Sequence, residues 1–346
     1  MDKPLKKNPL SLQLDPNLFQ PATEEEKAQQ VITRESVSFM RDAMRRLRRN
    51  KISMACVVIL ILMALIAFVL PSFYPYSYAQ QDVTAQFLAP LQHSQKELAK
   101  IAQGISVFPH LMGTDSLGRD YACRVIYGTR ISLLAGLVSA IIVVIIGIIY
   151  GAISGYFGGK VDMIMMRIVD VIYSLPDVLI VILLSVALKD AISASKNVFI
   201  QQVGAGLISI FIVFGLLYWV GMARQVRGQI LSIKEQEYVL ASKSIGASPS
   251  RIIRKHMIPN CVSVIIITAA MQIPSAIFTE SFLSFLGLGV SVPMPSLGSL
   301  ASEARSGLVS YPYLLIWPAL SIFLIVLSFN LLGNGLRDAF DPKLRS

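Results

Sequence analysis

Charge is scarce in this chain: 15% of its 346 residues are Asp, Glu, Lys or Arg, against 54% hydrophobic. Soluble domains carry about 25% charged residues, so an ordinary soluble protein is excluded. Several runs of roughly 20 residues hold no Lys or Arg at all, which is the pattern of helical membrane spans. Cysteine is scarce too. Cys56, Cys123 and Cys261 fall in a span, an outer loop and the inner end of another span, so neither a disulfide framework nor a zinc site is expected. The three histidines, His93, His110 and His256, lie outside the spans, and none is spaced from a Cys or carboxylate as a metal ligand or general base would be. There is no G-x-S-x-G, no HExxH and no phosphate loop, because Gly159-Lys160 lacks the required spacing and the following Ser or Thr. The chain is therefore expected to perform no covalent chemistry and to hold no cofactor or metal of its own. The first apolar run follows a long polar tail, which argues against a cleavable signal peptide.

What is present is a charge asymmetry. The net charge of +10 would suit nucleic acid, but its distribution does not. Basic residues crowd the tail before Lys51 and the segment Met222–Asn260, and are thin in the segments that alternate with them. By the positive-inside rule this sets both termini in the cytoplasm; the charge reports topology, not nucleic-acid binding.

Taken in order, residues 1–34 are polar and proline-rich, and residues 1–51 form a cytoplasmic tail. Its last part, Glu35–Lys51, puts Met40, Met44 and Leu47 on one helical face with Arg41, Arg45, Arg46, Arg48 and Arg49 around it. That is either an interfacial helix on anionic lipid or simply a charged flank. Six all-α spans follow, at about 52–71, 131–156, 168–188, 203–223, 261–286 and 313–332, with an outside loop over 72–130 and a cytoplasmic tail over 336–346. Phe73, Tyr74, Tyr76 and Tyr78 suggest an interfacial aromatic belt. Gly147, Gly151 and Gly155, four apart, form a row that lets a neighbouring helix approach; helix packing or a pore lining would both use it. The third span contains Asp170, beside Arg167, and the deeper Asp177 next to Pro176. In the fifth, Gln272, Ser275 and Glu280 are candidate pathway or gate residues, although Glu280 could equally be bonded within the bundle or reach the outer interface. Pro274 is expected to kink that span.

Between the fourth and fifth spans lies the polar stretch 237–260, EYVLASKSIGASPSRIIRKHMIPN. Glu237 opens a short helix in which Tyr238, Ala241 and Ile245 form one apolar stripe opposite Lys243, with Ser242 between them. Gly246 is placed to end it in a left-handed conformation. Ser248 is expected as the N-cap of a second helix, Pro249 as its first residue and Ile252, Ile253 and Met257 as its stripe, with Ile258-Pro259 closing it. An elbow with one apolar side is suited to docking, and a solvated loop with some helix is the plainer alternative.

The spacing of Ala241, Gly246, Ile258 and Pro259 resembles the "EAA" coupling loop of ABC importer permeases, with Leu240 in place of the usual Glu, Ser242 in place of the second Ala, and His256 at a position usually apolar. Gly113, Thr114, Asp115, Gly118, Arg119, Asp120, Arg124, Gly128, Arg130 and Ser132 match the signature before the core of oligopeptide and dipeptide importer permeases. Glu280 to Gly289, Gly335-Leu336-Arg337-Asp338 and Asp341-Pro342 extend the likeness, which runs from about Ile52 to Lys343. The chain is identified as a member of the C-type, or second, permease family of such importers. That resemblance implies a type I ABC importer permease fold in a bacterial inner membrane. It also implies a second homologous permease, two ATP-binding subunits that hold ATP and Mg, an external solute-binding protein, and contact with membrane lipid. Peptide is the implied cargo; nickel, glutathione or peptide antibiotics are alternatives within the family. Outside it, a proton-coupled secondary transporter using Asp177 and Glu280 predicts internal repeats, and none is evident. A membrane-embedded hydrolase lacks a nucleophile and base.

Overall fold

The computed structural model describes residues 39–194, 197–290 and 293–340; the rest of the polar tail, most of the C-terminal tail and the Asp341-Pro342 pair lie outside the described residues. Two compact units are distinguished, residues 1–42 and 43–346. Of the first, only the opening of helix α1 (Phe39–Arg49) is described. Farther along α1, Ala43 and Leu47 are buried and Met44 is exposed.

The second unit is helical. Asn50 caps α2 (Lys51–Phe68) by accepting from the backbone N–H groups of Ile52 and Ser53. An outer layer of turns follows, containing α3 (Gln95–Ala102), whose Ser94 and Glu97 form a reciprocal capping box. Then come α4 (Tyr121–Phe157), α5 (Gly159–Ser174), α6 (Asp177–Ser193), α7 (Val198–Val203) and α8 (Ala205–Val213). A π-helical turn, Phe214–Tyr218, joins α8 to α9 (Trp219–Lys234). The short helices α10 (Glu237–Ser244) and α11 (Pro249–Ile252) lead through π and 3-10 turns into α12 (Val262–Phe285), followed by α13 (Leu297–Ala304) and α14 (Tyr313–Phe340). Among the described residues, five continuous helical stretches are long and apolar enough to cross a membrane, and α5 with α6 makes a sixth if that bent pair counts as one span.

The glycine row shows why it does. A Cβ at Gly147 would stand 2.5 Å from Met222 Cβ, one at Gly151 would collide with the Ala223 carbonyl oxygen, and one at Gly155 would stand 2.8 Å from Ile230 Cγ2. Both sequences advance together along this contact, so α4 and α9 run parallel with backbones in close approach. Parallel neighbours require the chain between them to return across the same thickness, and α5 with α6 is what returns it.

Four features differ from the sequence reading. The second span starts at Tyr121, not Ile131, so Cys123 and Arg124 are helical; Asp120 caps the helix through the Cys123 N–H at 2.7 Å. Arg124 is buried in the first turn of α4, where its guanidinium meets Asp115 at 2.6 Å and Glu303 at 2.6 Å. The third span is not continuous: Pro176 forces Leu175 into an extended conformation (φ −75°, ψ 142°), and α5 and α6 meet at 88°. Asp177 is thus the exposed first residue of α6 rather than a carboxylate deep in a helix. Asp170 pairs with Arg224 at 2.8 Å instead of Arg167.

The outer layer also corrects the reading of the aromatics and of His110. Phe73 is exposed, but Tyr76 stacks on His110 with ring centroids 4.5 Å apart, and Tyr78 packs on Tyr127. His110 does meet carboxylates: Nδ1 lies 2.7 Å from Asp120 and Nε2 3.4 Å from Glu97. The sequence separation hid this because turns, not a helix, bring the three together. Tyr76 also donates to Glu97, and the burial of its phenol pushes its pKa up. No cluster of three potential metal ligands with suitable geometry occurs among the described residues. Cys56, Cys123 and Cys261 are buried free thiols.

Candidate functional site

The elbow after α9 is built from local chain chemistry. α10 begins at Glu237, whose carboxylate suits the positive end of a helix. It ends with the Ala247 N–H donating to the Ser242 carbonyl at 3.1 Å and the Gly246 N–H to the Lys243 carbonyl at 2.9 Å. That is a Schellman closure, with Gly246 at φ +80°. Nothing lies within 4 Å of where a Gly246 Cβ would be, so the demand on this residue is purely conformational. Ser248 occupies the N-cap position of α11 and Pro249 its first turn, but the Ser248 side chain makes no capping bond, contrary to its expected role.

Burial then separates the two expected stripes. Tyr238, Ala241 and Ile245 are all exposed, Ile245 at 85%. Leu240, where importer permeases usually have Glu, is 50% exposed and enlarges the same apolar surface. The inner side of α10 is anchored instead by Val239, fully buried in the core cluster; Ser242 is buried on the same side, its hydroxyl donating back to the Tyr238 carbonyl of the same helix at 2.7 Å. Lys243 reaches back over the Tyr156 ring at the end of α4, 5.3 Å from its centroid. The second stripe faces inward: Ile252 and Met257 are fully buried, and Ile253 packs on the same core cluster as Val226 and Ile230. Ile258 is half-buried. Pro259 does not close a helix; it sits in a 3-10 turn, Ile258–Cys261, where a missing N–H costs nothing, and the chain continues helically to Phe285. One face of α10 is therefore left exposed, and the other rests on the core cluster formed by α4, α9 and the α11–α12 helix.

The other singled-out residues lie on α12. Glu280 is completely buried. Its carboxylate accepts from Ser132 at 2.8 Å and Ser284 at 2.7 Å, with Ser281 at 3.3 Å. Ser132 accepts in turn from the Leu297 N–H at the head of α13. Glu280 is thereby a hub joining α4, α12 and α13, enclosed by hydroxyls within this chain. Gln272 is half-buried and Ser275 exposed, on a different side of α12 from Glu280. The outer signature residues gather around a second hub: Asp115 accepts from Arg119 and Arg124, and both arginines reach Glu303 on α13. Sequence reasoning found the motif but not this pairing, which spans some 180 residues of chain.

Comparison with known proteins locates the chain. Residues 144–346 match the model of the binding-protein-dependent transport system inner membrane component family, and residues 38–90 match the N-terminal TM domain of oligopeptide transport permease C. The chain is 41% identical over 329 residues to the oligopeptide transport system permease protein OppC of Bacillus subtilis, covering 95% of this chain and 98% of that protein. It is 43% identical over 315 residues to the dipeptide transport system permease protein DppC of the same organism, covering 91% and 89%. The glutathione transport system permease protein GsiD of Pectobacterium atrosepticum is 37% identical over 307 residues, covering 88% and 92%. With most of its length matched by that model, and an exposed elbow joining its transmembrane helices, the chain belongs to the binding-protein-dependent transport system inner membrane component family.

Proposed function

We propose that this chain is one permease half of an ATP-driven importer of oligopeptides or dipeptides, in a bacterial inner membrane. The observation that carries the reading is the α10 elbow: Tyr238, Leu240 and Ile245 stand exposed on a helix whose inner side is fixed to its own bundle. An unpartnered apolar face on a rigid mount fits a receiving cleft on another subunit. The distribution of Lys and Arg supports a cytoplasmic elbow and cytoplasmic termini. The names of the relatives supply the peptide cargo.

In this reading the chain itself performs no covalent chemistry. Two separate ATPase subunits bind ATP and Mg, a second homologous permease supplies the other half of the pathway, and a solute-binding protein delivers peptide from outside. ATPase movement displaces α10. Because α10 is joined to α9 through the short turn at 235–236 and to α11–α12 through the Gly246 turn, that displacement is passed to both long helices. Work is done only if the ATPase has different affinity for the two permease states, which is the thermodynamic requirement on any coupled transporter.

A proton-coupled carrier would need a titrating group that reaches water from both sides. Glu280, enclosed by Ser132, Ser281 and Ser284, is poorly suited to that task. The test is uptake of labelled peptide into vesicles containing the whole assembly. Uptake that requires ATP and survives an uncoupler is expected; uptake that survives ATP depletion and dies with an uncoupler would replace this reading with the proton-coupled one.

A further inference from the structure

Two backbone irregularities border one cavity, and a polar stripe lies next to one of them. The first is the break at Leu175-Pro176, where α5 and α6 part at 88°. The second is the π turn Phe214–Tyr218 on the facing helix; such turns widen a helix locally and are frequent at functional sites. The stripe is on α12, outside the cavity lining. Thr268, Gln272, Ser275 and Thr279 follow one another at spacings of four, three and four, on a face that this chain leaves half or fully exposed. Tyr218 bridges the π turn to that stripe, its hydroxyl 3.4 Å from Thr279 Oγ1. The cavity holds about 450 Å3 and is bordered by Tyr173, Pro176, Asp177, Tyr218 and Gly221.

In a lipid-facing setting this arrangement is unfavourable. Irregular backbone at membrane depth is tolerated only against protein or a water-filled cavity, and a row of hydroxyl and amide groups has the same requirement. Asp177 is the one Asp, Glu, Lys or Arg residue among those lining the cavity. One of its oxygens accepts from the Val178 N–H at 2.8 Å, which is ordinary helix-start chemistry, and it forms no ion pair with any described residue. The neighbouring basic group, Arg224, is engaged with Asp170 and the Tyr173 ring. Asp177 is the first residue of α6, after the Pro176 cap, and a carboxylate there suits the positive end of the helix as Glu237 does in α10; what sets Asp177 apart is that it stands on a cavity wall without a cationic partner.

We propose that this cavity lies on the transport pathway and that Asp177 is its recognition residue for a cation, the α-ammonium group carried by a peptide's free N-terminus. The proposal rests on the peptide-importer reading for the identity of the cargo, but not for the field in the cavity. The uncharged stripe, Thr268 to Thr279, offers donors and acceptors to the peptide backbone without selecting side chains. A carboxylate facing an ammonium on this cavity wall gives a charge-assisted hydrogen bond that every such peptide can make.

Two measurements on the complete, reconstituted assembly test this. Gly221→Cys places a thiol on the cavity wall, where a Cβ meets nothing within 4 Å. A trimethylammonium methanethiosulfonate should label it faster than the sulfonate reagent, after normalisation to a free thiol, and Asp177→Asn should erase that preference. No labelling by either reagent, or a preference unchanged by Asp177→Asn, overturns the proposal whatever the cargo is. In the second measurement, Asp177→Asn, which keeps the side chain's size and an acceptor for the Val178 N–H, should lower uptake of free-ammonium peptides by about tenfold, the equivalent of one charge-assisted contact. Stimulation of the ATPase by the loaded binding protein should persist. Wild-type peptide uptake matched by the variant overturns the ammonium assignment; a wild-type assembly that moves no peptide sinks the importer reading and leaves the labelling result to decide the cavity's charge.

Discussion

Gly246 and Gly151 answer to opposite constraints. Gly246 has φ +80° and open space around it, whereas Gly151 has ordinary helical geometry and the Ala223 carbonyl against it. Gly246→Val should therefore abolish most uptake while the protein still inserts and assembles, because a β-branched residue resists the left-handed region by about 1–3 kcal/mol. Gly246→Asn, which tolerates that region, should restore much of the activity. Uptake assays beside detergent-stable expression levels check both. Gly151→Leu should instead lower the melting temperature of the purified protein, since overpacking costs about 1–3 kcal/mol and the obstacle is backbone. Glu280 invites a third pair. Glu280→Gln preserves shape and partners for most of the hydroxyls, and uptake should stay near wild type. Glu280→Ala leaves Ser132 and Ser284 without their acceptor at about 1–3 kcal/mol for each unsatisfied group, and the purified variant should melt earlier. A Glu280→Gln variant that inserts normally and transports nothing would reassign this residue to the pathway.

Among the elements, α4 shows how a charged helix start is held. Its first turns carry Arg124, which faces Asp115 in the outer layer and Glu303 on α13. Removing one partner from a buried ionic cluster leaves the others uncompensated, so Arg124→Met should destabilise by about 3 kcal/mol. The outer layer should loosen first, visible as faster amide exchange across 82–118. Exchange confined to the elbow would contradict the pairing. The α10 elbow is the counterpart at the other end of α4, tied there by Lys243 and Tyr156. Its inner side is settled by this chain, and its outer side waits for a partner.

For the whole molecule, parallel α4 and α9 fix an even number of crossings between the start of α4 and the start of α9, and the bent pair supplies the second of them. Gly335 lies against Ser53, which brings the end of α14 to the start of α2, and Gly158 lies beside Lys234 at the end of α9. The elbow and both ends of the helical bundle should thus be reachable from one side. Ile245→Cys and a C-terminal tag should be accessible to impermeant reagents only from the cytoplasmic side. Val309→Cys, whose parent residue is 97% exposed beyond α13, should be accessible only from the opposite side. Labelling of Ile245→Cys and Val309→Cys from the same side would overturn the six-span arrangement.

Local pattern determined a good deal here without any structure. Apolar runs without charge specify membrane helices because lipid cannot solvate an ion or a free backbone group, and that holds for each run by itself. The Gly246 stop and the Pro249 start were legible for the same reason: the conformations they permit depend on one residue and its neighbours. Pro176 carried its own signal, a residue before proline pushed out of the helical region, and the predominantly apolar sequence on either side, despite Asp170 and Asp177, concealed the break. Tertiary structure decided what no local pattern could. It sorted the two stripes of the elbow into one that packs inward and one left free, and it turned Glu280 into an enclosed hub while leaving Asp177 open to a cavity. It also gave the buried Arg124 its acidic partners, Asp115 and Glu303. In each case the outcome depends on partners brought from distant parts of the chain, because the cost of a buried charge or an exposed apolar group is set by what stands beside it in space.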